Sequence, residues 1–313
     1  MPVRSRRRPA ALALALTASA ALLLTACAPA GADAETATEP TASSTHAVTH
    51  ARGTTDVPAE VERVVTLEPL ELDTAVAVGI TPVGAAVASN VTGTPAYLGA
   101  DGVESVGTVP EPDLEAIAAL KPDLILGTEA RHSALYEQLS AIAPTVFIET
   151  QADPWRDNAL LIGDALNRKD EVADLLADVD DRCASLSDQY DVSGQTAQLI
   201  RPRDETTLSL YGPVSFAGSL LECVGYTIPD QDWADGLQAD ISPENILDAQ
   251  ADHVFVTTAD VADESAVPAA IRQNAAAFPS VTLVDTATWV SGVGPKGAQS
   301  VLDDIETHLE ASR

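Results

Sequence analysis

Arg131, Arg201 and Arg203 are the side chains whose type and placement most plainly offer chemistry. Arg131 and His132 follow the β-rich run DLILGT within a few residues, and Arg201 and Arg203 stand at or just past the end of AQLI. Ligands of open α/β sheets bind in crevices outside the carboxyl ends of strands. A guanidinium there presents a flat fork of N–H donors suited to carboxylates, hydroxamate carbonyls or catecholate oxygens. In so acidic a chain each arginine could equally close a surface salt bridge, and Arg203, beside Asp204 and Glu205, fits that plainer reading best. Trp233 in DQDWADG and Trp289 in DTATWVSG stand in loop contexts, where an amphipathic ring serves as a cleft wall. Trp155 opens a helical stretch and reads as packing.

Catalysis requires more than donors. Gly212-Pro-Val-Ser215-Phe-Ala-Gly218 lacks the glycine spacing that exposes a nucleophilic serine on a sharp strand-to-helix turn. Gly292-Val-Gly294-Pro-Lys-Gly297 matches the dinucleotide pattern G-x-G-x-x-G, yet only 16 residues follow it, too few for a second strand and its ribose-binding acid. It reads as a tight turn that lets a terminal helix pack closely. His46, His50, His132, His253 and His308 are scattered without metal-ligand spacing, and Met1 is the sole methionine. The expectation is a binding protein, not an enzyme, with no cofactor or metal ligands of its own; any iron would arrive already chelated.

The elements that must position these residues alternate. RVVTL (63–67) reads as a strand, Leu72 to Val78 as a helix, and a Gly-Ile-Thr-Pro turn leads into PVGAA. Leu114, Ile117 and Leu120 have helical spacing within Glu111 to Leu120, before Lys121-Pro122 and the strand DLILGT. A helix from Ser133 to Ile142 feeds the strand TVFIE (145–149). Such alternation predicts a mostly parallel sheet covered by helices. Pro154 to Tyr190 reads as two helices, the second, from Asp170, long enough at roughly 30 Å to brace two lobes. After Ser193-Gly194 the rhythm restarts with AQLIRP, TLSLYG, a helix from about Phe216 to Val224, HVFVTT and TLVDT, and a helix from Lys296 to Glu310 closes the chain. The expected divisions are 1–26 export signal, 27–58 tether, 59–168 first α/β lobe, 169–191 bridging helix and 192–313 second α/β lobe.

The start of the chain is topogenic. Arg4, Arg6, Arg7 and Arg8 precede an uncharged Ala/Leu run from Pro9 to Leu24, and Leu24-Thr25-Ala26-Cys27 resembles the lipobox of bacterial lipoproteins, which implies lipidation of Cys27 after cleavage. The mature chain is then expected outside the cytoplasmic membrane, anchored by lipid. Ala28 to about Pro58, rich in Ala, Thr, Ser, Pro and acids, reads as a solvated tether. Cleavage removes four of the 17 basic residues and none of the 47 acidic ones, so nucleic acid is not an expected partner. Cys183 and Cys223 could pair in an oxidising compartment, although separate buried thiols are the plainer reading.

PDLEAIAALKPDLILGT (112–128) has an echo in SPENILDAQADHVFVTT (242–258). Glu115, Ile117, Asp123 and Ile125 correspond to Glu244, Ile246, Asp252 and Val254, so each lobe carries an equivalent helix and strand.

These pieces resemble the substrate-binding proteins of ABC importers for iron-siderophore complexes, of the ferric hydroxamate and vitamin B12 binder type. The best segments are GTTDVPAEVERVVTLEPLELDTAVAVGITPVGAA, VGTVPEPDLEAIAALKPDLILGTEARHSALYEQLSAIAPTVF, RPRDETTLSLYGPVSFAGSLLECVGY and WVSGVGPKGAQSVLDDIETHL, and the likeness runs roughly from Gly53 to Leu309. It implies two Rossmann-like α/β lobes bridged by one long helix, little hinge motion, and a ligand cleft between the lobes. Carried over motif by motif, it places ligand contacts on Arg131, Arg201, Arg203, Tyr211, Trp233 and Trp289, with Glu68 in the matching loop of the first lobe. It also implies that Glu115 and Glu244, one exposed on each lobe, dock on arginines of the permease dimer. The expected ligand is a ferric siderophore bound by a monomer, hydroxamate or mixed-ligand rather than trianionic catecholate. Vitamin B12 or haem is the alternative within the same class, and a secreted siderophore-processing enzyme or an adhesion module lies outside it.

Overall fold

The computed structural model describes residues 44–88, 93–151, 154–234 and 236–312. Cys27 and the expected export signal lie outside them. The described chain opens with an antiparallel hairpin of β1 (Thr45–His50) and β2 (Gly53–Pro58). This corrects the tether's extent: residues 45–58 belong to the folded body. Val48 and Val57 are fully buried, Ala51 N–H donates to Phe147 O at 3.1 Å, and Asn167 Nδ2 donates to Pro58 O and Ala59 O, each at 3.0 Å. His50 completes the seam: its Nδ1 accepts from Phe147 N–H at 3.1 Å, so Nε2 carries the proton and donates to Thr55 Oγ1 at 2.9 Å. The turn between the strands places Gly53 at φ +111°, backbone that favours glycine.

Six strands form the first sheet, in the order β6-β5-β4-β3-β7-β8. They are β3 (Val64–Thr66), β4 (Gly84–Val87), β5 (Glu104–Thr108), β6 (Glu111–Pro112), β7 (Leu124–Thr128) and β8 (Thr145–Ile148), all parallel except β6. The second sheet runs β11-β10-β9-β12-β13, from β9 (Ala197–Pro202), β10 (Leu208–Tyr211), β11 (Gln238–Ile241), β12 (His253–Thr258) and β13 (Val281–Asp285). Here β9, β12 and β13 are parallel, and β10 and β11 add an antiparallel edge. Helices connect and cover both sheets: α1 (Pro69–Ala77), α2 (Leu114–Leu120), α3 (Glu129–His132), α4 (Tyr136–Ser140), α5 (Trp155–Ala165), α6 (Lys169–Tyr190), α7 (Phe216–Val224), α8 (Ala269–Gln273), α9 (Thr286–Trp289) and α10 (Pro295–Ala311). The chain is thus two α/β lobes joined through the 22-residue α6.

Strand alternation divides the apolar residues into layers. Val64, Leu124, Leu126, Val146 and Ile148 face inward with Leu199 and Phe255 of the second sheet, and with α5, α6, α7 and α10 they build one core that spans both lobes. Their strand neighbours Val65, Ile125 and Phe147 pack outward under α2 and α4, and Ile200, Val254 and Val256 do the same in the second lobe. A core shared by both lobes resists their separation, because hinge opening would have to part close-packed surface.

The repeated segment has a physical explanation at three of its four positions. Ile117 and Ile246 are buried under the outer faces of their sheets. Asp123 accepts the Glu62 and Arg63 N–H groups at 2.9 and 3.0 Å, just before β3, while Asp252 accepts Thr196 N–H at 2.8 Å, just before β9. Each aspartate starts the neighbouring central strand of its lobe. Ile125 and Val254 are buried strand residues.

Cys183 on α6 and Cys223 on α7 form a disulfide with Cα atoms 5.5 Å apart, which corrects the reading of them as separate thiols. The sequence offered two isolated cysteines, and only the packing of α6 on α7 brings them within bridging distance.

A buried relay stabilises the base of the second lobe. Thr282 Oγ1–H donates to His308 Nδ1 at 2.8 Å, His308 Nε2–H to His253 Nδ1 at 2.7 Å, and His253 Nε2–H to Gln195 Oε1 at 2.6 Å. Only two neutral rings satisfy this chain. Burial pushes both imidazoles down, His308 from 6.5 to about 4 with further lowering by His253. The folded value lies below the unfolded one, so the stabilisation is complete above pH 6.5 and is lost as pH falls towards about 4, where the unfolded chain takes the proton first. Unfolding free energies of wild type and His308→Gln, measured by denaturant titration, should therefore differ most at neutral pH and converge in acid, by about 3 kcal/mol over that window. A difference independent of pH would show that the ring does not titrate there.

Candidate functional site

The site begins at the strand order. In the first sheet the chain passes to β4 on one side of β3 and to β7 on the other, so a crevice opens beyond the carboxyl ends of β3 and β7. Glu68 follows β3 and Arg131 follows β7. Arg131 Nη1 donates to Glu68 Oε1 and Oε2 at 2.8 and 2.6 Å, and the Glu68 side chain is fully buried while that of Arg131 is 47% exposed. Glu71, also buried, accepts from Leu67 N–H at 2.9 Å and Glu68 N–H at 3.0 Å, which ties α1 to the end of β3. Burial pushes both carboxyls upward, and the charge of Glu68 pushes Glu71 further, whereas the guanidinium holds Glu68 down. Of the two, Glu68 is the carboxyl whose charged form the guanidinium favours.

Glu68 is thereby placed differently from the expectation of a ligand contact. Both its oxygens are committed to Arg131, and it orients that residue at the rim. Among the described residues no acceptor meets Nη2 or Nε of Arg131. His132, grouped with it by sequence, is buried: its Nδ1 accepts from Thr128 N–H at 3.1 Å and its Nε2–H donates to Val109 O at 2.8 Å.

The second lobe faces this rim with Arg201, Arg203 and Tyr211. Arg201 Nη1 donates to Tyr211 Oη at 3.4 Å, and neither Arg201 nor Arg203 meets a carboxylate among the described residues. The surface salt bridge expected for Arg203 with its acidic neighbours does not form: Asp204 instead accepts from Thr206 N–H and Oγ1–H, each at 2.7 Å. Arg131, Arg201, Arg203 and Tyr211 line one open cleft of about 1020 Å³ between the lobes. It continues inward into about 740 Å³ of space bordered by Trp155, Phe216 and Val293.

The aromatic wall keeps one of the two tryptophans chosen from sequence. Trp289 is 1% exposed, stacks on Phe255 with centroids 4.8 Å apart and donates Nε1–H to Asp304 at 2.8 Å, and the remaining edge of its ring borders the inner part of the cleft. Trp233 packs against Gly212, where an added Cβ would lie 2.8 Å from its ring, and does not border the cleft. Trp155 joins Trp289 at the inner space, set edge-on to Phe216 at 5.1 Å with Nε1–H donated to Ser219 Oγ at 3.1 Å. Gln151 and Gln238 were also missed. Gln151 follows β8 and satisfies the same strand-end rule that marked the arginines; its Nε2 is buried without an acceptor. Gln238 opens an antiparallel edge strand, for which no sequence signal exists.

Ser215 is a helix cap: its Oγ–H donates to Gly212 O at 2.6 Å and the oxygen accepts from Gly218 N–H at 3.1 Å. Glu115 and Glu244 are exposed in the first turns of α2 and of the short 3-10 helix Pro243–Ala249.

Two α/β lobes joined by one long helix, with a cation-lined cleft between them, define a solute-binding protein. The chain belongs to the periplasmic binding protein family, whose model matches residues 64–281. It is 35% identical over 298 residues to the probable siderophore-binding lipoprotein YfiY of Bacillus subtilis, covering 87% of this chain and 90% of that one. Among solved structures, Staphylococcus aureus SirA complexed with staphyloferrin B matches with a TM-score of 0.69 and 30% identity over 85% of this chain and 98% of that one. The petrobactin-binding protein YclQ of Bacillus subtilis matches with a TM-score of 0.65 and 26% identity over 85% and 99%.

Proposed function

We propose that this chain is the extracytoplasmic solute-binding component of an ABC importer that captures ferric siderophores and delivers them to a permease dimer. The observation that carries the reading is that Arg201 and Arg203 border the cleft without a carboxylate partner, in a chain where acidic residues outnumber basic ones 47 to 17. Leaving guanidinium groups unpaired there favours a ligand that brings its own oxygens. With Arg131 offset by Glu68, two uncompensated charges remain, which suits hydroxamate or mixed-donor complexes better than a trianionic catecholate. Gln151 Nε2 supplies a further donor, and Trp155 and Phe216 supply apolar area for the body of the chelate. The relatives named for siderophore binding support the same reading. Lipid on Cys27 would hold the protein at the membrane as a monomer, with Glu115 and Glu244 as its contacts to the permease.

Trp155 makes the test direct. Its fluorescence should respond saturably to one class among ferric staphyloferrin B, ferrioxamine, ferric enterobactin, haem and cobalamin, with the ligand recovered unchanged and the iron-free siderophores weaker. Chemical turnover of a chelate, or no response to any of the iron complexes, overturns the reading.

A further inference from the structure

The glycine motif that resembled a dinucleotide loop does surround an acidic group, and that group is a side chain of this protein. Asp73 on α1 is fully buried, and its Oδ1 accepts Lys296 N–H at 2.9 Å while Oδ2 accepts Gly297 N–H at 2.8 Å and Tyr97 Oη–H at 2.9 Å. Lys296 and Gly297 belong to the first turn of α10, where N–H groups lack helical acceptors and the helix dipole favours negative charge. The glycines are required by this approach. A Cβ on Gly294 would lie 2.4 Å from the Asp73 carboxylate, and one on Gly297 only 1.6 Å from Gly292 O.

The consequence reaches the cleft. Val290, Ser291 and Val293, immediately before this turn, form part of the cleft wall on the second-lobe side. Glu68, the residue that caps the start of α1, holds Arg131 on the first-lobe side, and Glu71 in the first turn holds the Glu68 backbone. One short helix therefore fixes both margins of the cleft, through Glu68 at its start and Asp73 in its second turn. We infer that Asp73 is a positioning residue for ligand capture: it touches no ligand, and it sets the Val290–Val293 wall relative to the Arg131 rim. The part of this inference that concerns affinity rests on the proposed function, and the part that concerns the wall does not.

Two variants of the mature chain test it. Asp73→Asn keeps the shape and places an amide N–H against one of the two backbone donors; Tyr97→Phe removes one donor more gently, in case the first variant folds poorly. In the ligand-free protein, hydrogen exchange of residues 290–297 should accelerate about tenfold in Asp73→Asn and less in Tyr97→Phe, with α6 unchanged. Ferric staphyloferrin B should then dissociate about tenfold faster from Asp73→Asn with little change in its association rate. Unaltered exchange at 290–293 overturns the inference, as does faster exchange with an unaltered dissociation rate, which would leave Asp73 a helix cap alone. A wild-type protein that binds none of the ferric complexes would defeat the proposed function, and the exchange measurement alone would then decide whether Asp73 holds the wall.

Discussion

Arg201→Ala is expected to weaken ferric siderophore binding by about 10- to 100-fold while leaving the melting temperature unchanged. The size follows from the loss of charge-assisted hydrogen bonds worth about 1.5–3 kcal/mol. Stability should not move because the guanidinium makes a single long contact, to Tyr211 at 3.4 Å. Arg131 is the instructive contrast. Removing it leaves Glu68 buried without a counter-ion beside Glu71, so Arg131→Ala should destabilise the fold by about 3 kcal/mol. The double variant Arg131→Ala/Glu68→Gln should recover most of that loss without recovering affinity. Isothermal titration together with thermal melting separates the two effects. Normal affinity in Arg201→Ala would remove that residue from the site.

Charge reversal at both Glu115 and Glu244 should abolish uptake of the ferric siderophore while its affinity for the isolated protein stays within about twofold. Both side chains are exposed in first helical turns, where each carboxylate is worth about 0.3–1 kcal/mol against the dipole. The expected structural cost is therefore small beside a complete loss of transport. Measuring cellular uptake alongside solution affinity and melting distinguishes the possibilities. A parallel fall in uptake, affinity and stability would assign the glutamates to helix capping, and normal uptake would end the docking proposal.

Much of the architecture was legible because its signals are local. The strand HVFVTT and the helix from Phe216 to Val224 emerge at the expected residues, and the restart after Gly194 is where the second sheet begins. Long periodic runs bounded by Gly or Pro announce themselves. The hairpin did not, because each strand contributes one buried valine, and the flanking threonines that favour extended structure also dominate polar linkers. Edge strand β6 shortened α2 for a similar reason: Glu111-Pro112 pairs with Gly107 and Thr108 before the helix starts at Leu114.

The cleft was legible only in part. Strand-end geometry marks Arg131 and Arg201 from sequence and was not applied to Gln151, which it also fits, but it gives no orientation, so the pairing of Arg131 with Glu68 and the burial of Trp289 required the packed structure. Trp155 was discounted because a helix start suggests packing; it packs on Phe216 and borders the cleft at once. The disulfide and the Asp73 contacts join residues 40 and more than 220 positions apart, beyond the reach of any local pattern.

For a chain anchored at Cys27 as proposed, the hairpin also limits how far the folded body could travel. Chain counted from Ala28 to Pro58 would extend at most about 105 Å, whereas 17 residues, Ala28 to Ser44, precede β1 and span at most about 60 Å. Were Cys27 lipidated as proposed, the leash would be little more than half as long, and the volume the body could search would shrink more steeply than the length. Each emptied molecule would stay close to the importer it has just served, at a correspondingly higher effective concentration. Inserting about 14 residues after Pro40 would restore the longer leash, and slower uptake at limiting numbers of importers is the outcome such confinement requires.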